Sequence, residues 1–147
     1  MERKTHWPAV LVCVAAGMAL GFLWYGALFQ QQWMAGNGFT MEGEKMFKNG
    51  VEVPTTMTPM LINTIVMLVY ALLINWLLGL TKAASAADGI KVGAIIGAIM
   101  ALGVYVGNLF AANPASLSFV DGSYSFVFYV MMGAILRRWQ KRTVQGA

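Results

Sequence analysis

Residues 7–29 read WPAVLVCVAAGMALGFLWYGALF, without one charged side chain. A helix needs about 20 mainly apolar residues to cross a bilayer, and this run is long enough. It is apolar on every face, whereas a soluble amphipathic helix keeps one wet side. Three further segments meet the same test. Residues 57–80 are uncharged and carry Asn63 and Asn75, residues 92–110 are uncharged and glycine-rich, and residues 119–136 hold only Asp121 near their start. The predicted fold is therefore an all-α membrane protein with four transmembrane helices in a compact bundle. The spans lie at about 7–29, 57–80, 92–110 and 119–138, with one long connection over 30–56.

Composition agrees. Of 147 residues, 59% are hydrophobic and 11% charged, against roughly a quarter charged in soluble domains. A soluble chain of this length, enough for one domain spanning 1–147, has no core large enough to hide that much apolar surface. Disorder is excluded as well, because disordered chains are poor in aromatic and branched residues. The net charge of +4 does not point to nucleic acid. A nucleic-acid binder clusters its basic residues on a solvated face, whereas here they flank apolar segments, where they act as topology signals. The first apolar stretch is too long for a signal peptide, and no small-x-small cleavage site follows it. It is expected to be retained.

Eight of the ten basic residues fall on one side of a four-span arrangement: Arg3 and Lys4, Lys82 and Lys91, then Arg137, Arg138, Lys141 and Arg142. Only Lys45 and Lys48 fall on the other. With short loops, this split predicts both termini in the cytoplasm of a bacterial inner membrane. Trp7, Trp76 and Trp139 fall near the cytoplasmic ends, and Trp24, Tyr25, Trp33 and Tyr124 near the outer ends, as an aromatic belt requires. Thr58-Pro59 is expected to start the second helix as a cap followed by proline, and Asn113-Pro114 to end the third. The 30–56 connection, with several glycines and the charged stretch 42–48, is expected to lie at the interface as one amphipathic turn.

The first helix and its exit read His6-Trp7-Pro8-Ala9-Val10, then Gly21-Phe22-Leu23-Trp24-Tyr25-Gly26-Ala27-Leu28-Phe29 and Trp33. The last helix carries Gly122-Ser123-Tyr124 and Gly133-Ala134-Ile135-Leu136 before Trp139. This pattern resembles a bacterial family of small four-helix membrane proteins catalogued as a domain of unknown function. The family shows a tryptophan and alanine at the start, a glycine-x-x-tryptophan-tyrosine exit, and a late glycine-x-tyrosine. The resemblance covers essentially the whole chain and implies the fold and the membrane location. It implies no reaction. The long first connection departs from the family pattern.

Three constellations carry the functional reading. Gly93, Gly97, Gly103 and Gly107 share an arc of roughly 160° with Ala101 and Ala111 at helical periodicity, and Gly17-x-x-x-Gly21 repeats the device in the first helix. In lipid, small residues let two backbones approach closely. The stripe reads either as packing inside this chain or as an interface with another. A polar group comes second: Tyr25, Asn63, Asn108, Asp121 and Tyr124 all fall in the outer third of their helices. Such side chains usually face the bundle interior or a cavity. They read either as a shallow pocket or as belt tyrosines with Asp121 capping the last helix, with Asn63 and Asn108 expected to pair across helices two and three. Third, Met57 and Met60 lie three apart, and thioethers select cuprous copper; the plainer reading is adaptable packing.

Catalytic signals are missing from the sequence. It contains no nucleophile elbow, paired carboxylates or phosphate-cradling loop. Its single histidine, His6, reads as an interfacial anchor rather than a haem ligand, and its one cysteine, Cys13, as a small buried hydrophobe. No enzyme activity and no cofactor are expected. The leading expectation is a structural or accessory subunit packing against copies of itself or against other membrane subunits. The alternative is a small-molecule permease or binding protein that uses the outer polar pocket.

Overall fold

A computed structural model describes residues 5–144. Arg3, Lys4 and the side chains of Lys141 and Arg142 lie outside the described part. The elements, in chain order, are α1 (Trp7–Gly21), a π-helical segment (Phe22–Leu28), α2 (Gln30–Asn37), β1 (Phe39–Glu42), β2 (Lys45–Lys48), β3 (Val51–Val53), α3 (Thr58–Leu80), α4 (Ala86–Phe110) and α5 (Ala115–Val144). Four stretches are long and apolar enough to cross a membrane: Trp7–Leu28, Thr58–Leu80, Ala86–Phe110 and Ala115–Trp139. The protein is a multi-pass membrane protein of four bundled helices. α5 is the hub, touching α1, α2, α3 and α4, whereas α3 and α4 barely meet.

The core interleaves Val10 and Cys13 of α1, Met67, Ala71, Ile74 and Leu78 of α3, and Phe128, Met132 and Leu136 of α5. Many other large apolar residues, among them Ile65, Ile95, Ile99 and Leu102, point outward, as lipid-facing surface does. α4 touches α5 along a row of glycines. A Cβ built on Gly89 or Gly93 would collide with the backbone carbonyl of Gly133 or Tyr129, and one on Gly97 would lie 2.8 Å from Phe126 Cα. Ala101 meets Gly122 in the next step. Close approach of two backbones maximises dispersion contact where no hydrophobic effect drives helices together.

Helix ends differ from the sequence expectation in three places. α4 begins at Ala86 rather than near 92, because Ser85 and Asp88 form a reciprocal capping box: Asp88 N–H donates to Ser85 Oγ (3.1 Å) and Ser85 N–H to Asp88 Oδ2 (2.9 Å). It ends at Phe110, before Asn113-Pro114. Ala112 there takes a left-handed φ of 55°, and Asn113 N–H returns to Asn108 O (2.9 Å). α3 is capped at Met57, with no side-chain bond from Thr58. Asp121 does not cap α5, which starts at Ala115. His6 does cap α1, its Nδ1 accepting from Ala9 N–H (3.2 Å).

The connection over 30–56 is no single amphipathic turn. It folds into α2 and a three-stranded antiparallel sheet in the order β1-β2-β3. Asn49 and Gly50, at φ 51° and 82°, make the two-residue turn between β2 and β3. α2 lies on the start of α5, with Gly36 against buried Leu117. This fixes the sheet at the end of the bundle opposite the start of α1, the sheet end.

Candidate functional site

At the sheet end the π-helical segment changes how α1 faces α5. Phe29 N–H reaches back five residues to Trp24 O (2.8 Å), and this wider turn carries two consecutive side chains to α5. Trp24 Nε1–H donates to Val120 O (3.1 Å), and Tyr25 O–H donates to Asp121 Oδ1 (3.0 Å). Single π-helical turns recur at functional sites because they re-aim side chains in this way. Around Tyr25 stand other rings: Tyr124 at 5.0 Å and 54°, and Trp33 at 5.7 Å and 61°. Trp33 in turn stacks on Phe39 (5.4 Å), whose other neighbour is Lys48 Nζ at 5.3 Å. The sheet thus holds α2, and α2 holds Trp33 over the bundle.

These rings wall a cavity of about 570 Å³ lined by Met18, Gly21, Phe22, Tyr25, Gly26, Trp33, Met60, Asn63, Met67 and Tyr124. That volume suits a small organic molecule. Gly21 and Gly26 create the room: a Cβ on Gly26 would meet nothing within 4 Å, and one on Gly21 would approach only Tyr124 Oη, at 3.6 Å. Asn63 lies across the cavity, its amide 3.9 Å from Met18 Sδ. Asp121 stands behind Tyr25, half-buried, with no ion-pair partner among the described residues. A depression of about 690 Å³ at the start of α3, lined by Thr56, Thr58, Pro59, Ile62, Asn63 and Val66, has no aromatic wall.

The structure thus brings Tyr25, Asp121 and Tyr124 together and sets Asn63 on the far wall of the same space. Asn108 is elsewhere, its Oδ1 accepting from Asn113 Nδ2 (2.9 Å) at the end of α4. The expected Asn63–Asn108 pair does not form, because α5 holds α4 away from α3. Met60 lines the cavity and Met57 is exposed at the cap of α3, so the two thioethers do not share a site.

The glycine stripe divides. Gly93 and Gly97 pack on α5, and Gly17 sits under the Phe128 ring, where a Cβ would lie 2.7 Å from Cε2. A Cβ on Gly103 or Gly107 would meet nothing within 4 Å. The seam follows Gly89, Gly93, Gly97 and Ala101 at steps of four, and positions 103 and 107 turn away from it. Sequence reasoning missed Gly89, Gly122 and Gly133 as seam partners, and Met18, Phe22, Gly26, Trp33 and Met67 as cavity lining. The clustering of Phe22, Tyr25 and Trp33 around the exit of the first span was the available signal for an aromatic wall.

Comparison with known proteins gives one match. A family described as "Protein of unknown function (DUF1761)" matches residues 8–137. No curated protein and no solved structure matches the chain.

Proposed function

The chain belongs to the DUF1761 family, and from that premise we propose a non-catalytic membrane protein that binds a small amphiphilic molecule at its sheet end. The cavity walled by Phe22, Tyr25, Trp33 and Tyr124 carries this reading. Apolar walls with a few convergent polar groups are what small-molecule sites have in common. Native mass spectrometry after mild detergent extraction tests it. Wild-type protein should retain a small bound molecule that Gly26→Phe, which fills the cavity, loses. No adduct on the wild type, together with no rise in Tm from any of a panel of small amphiphiles, would sink the proposal.

We further place the protein in the bacterial inner membrane with both termini cytoplasmic, supported by the basic-residue asymmetry. The cavity then opens outward. A reporter fused after Ala147 that is active only in the periplasm would reverse this orientation.

A second reading, lateral association with copies of the chain or with another membrane subunit, is favoured by one observation. The far half of α4 exposes Gly103 and Gly107 beside Leu102, Val106 and Leu109, and none of the described residues covers them. Such a small-x-x-x-small face suits a close helix contact. Gly103→Ile should then lower the oligomeric state in detergent without lowering Tm. An unchanged state would leave this face to lipid.

A further inference from the structure

We propose that the ligand of the sheet-end cavity is an organic cation of the quaternary-ammonium type with an apolar body. The inference rests on the binding reading above and adds the charge of the ligand. Three observations carry it. First, the walls include four aromatic rings, two of which, Tyr124 and Trp33, stand inclined at 54° and 61° to the Tyr25 ring. Aromatic cages hold quaternary ammonium groups by surrounding them with several such rings.

Second, the lining contains no lysine, arginine or histidine, so nothing in it repels a cation. Third, the Asp121 carboxylate stands directly behind the cage with no ion-pair partner among the described residues, and it accepts the Tyr25 hydroxyl at 3.0 Å. A phenol that donates to a carboxylate gains electron density on its ring, because linked hydrogen bonds polarise one another. Tyr25 therefore passes part of the Asp121 charge to the cavity face. A small inorganic cation does not fit this lining. Calcium and magnesium need six or more oxygen ligands at close range, whereas rings, thioethers and one amide suit a large, weakly hydrated ion.

The test compares benzyltrimethylammonium with neopentylbenzene, its neutral isostere, by tryptophan fluorescence quenching of the full chain in lipid nanodiscs. The wild type should bind the cation at least about tenfold more tightly than the isostere. Asp121→Asn should weaken the cation by about tenfold and leave the isostere unchanged. Equal affinity for both compounds in the wild type overturns the cation inference and leaves the cavity reading standing. Binding of neither compound also overturns the cation inference, and the cavity reading then stands or falls on the bound molecule seen by native mass spectrometry. The isostere comparison needs no variant, and if Asp121→Asn fails to fold, Trp33→Leu replaces it. That variant removes one cage wall on α2, outside the four-helix core, and should also cost the cation about tenfold. Cation affinity unchanged in a folded variant places binding elsewhere and overturns the proposal.

Discussion

The α4–α5 seam and the sheet-end cavity both depend on glycine, with opposite results. Along the seam, Gly89, Gly93 and Gly97 remove side chains so that two backbones touch, with the Gly133, Tyr129 and Phe126 backbone in turn occupying the positions their Cβ atoms would take. At the sheet end, Gly21 and Gly26 remove side chains beside rings that cannot close in, and the result is open space. What differs is the neighbour. A helix backbone facing a glycine row slides in until it makes contact, whereas Tyr25, Trp24 and Tyr124 are rigid, and two of them are tied to α5 by hydrogen bonds. Small residues alone predict neither packing nor a cavity.

The largest test of this contrast pits Gly93 against Gly107. Gly93→Ile places a branched side chain against the Tyr129 carbonyl and should cost about 3 kcal/mol of stability, the upper end for overpacking. Gly107→Ile should change monomer stability by less than about 0.5 kcal/mol, since nothing lies within 4 Å. Equal losses in detergent unfolding would erase the distinction between the two halves of α4.

Smaller effects probe the cavity wall. Tyr25→Phe deletes the bond to Asp121 and should destabilise by about 1 kcal/mol, while the ring contacts persist. A loss as large as that of Gly93→Ile would make Tyr25 part of the scaffold. At the nearby end of α4, Ala112 holds a left-handed φ of 55°. Ala112→Gly should raise stability by about 0.5 kcal/mol, read as a higher Tm. Last, Asn63→Ala and Asn108→Ala should be additive within about 0.3–0.5 kcal/mol, because their amides have separate partners, Met18 and Asn113. A larger coupling in the double variant would mean that α3 and α4 communicate at this end.

Hydropathy alone determined the class and the four spans, because in lipid each span must satisfy its own backbone bonds within about 20 residues. Some local structure was legible and went unread: Ser85-x-x-Asp88 marks the true start of α4, and Asn49-Gly50 marks a hairpin turn in the long connection. Tertiary structure alone decided which glycines pack. Helical periodicity puts Gly93, Gly97, Gly103 and Gly107 in one arc, but the seam drifts along α4 at steps of four and leaves the last two behind. It alone decided that Tyr25 meets Asp121, 96 positions away, through a π-helical turn that no periodicity announces. Apolar length is a property of one segment. A cavity depends on how three spans and α2 stop short of one another, and that is set by side-chain volumes met across space.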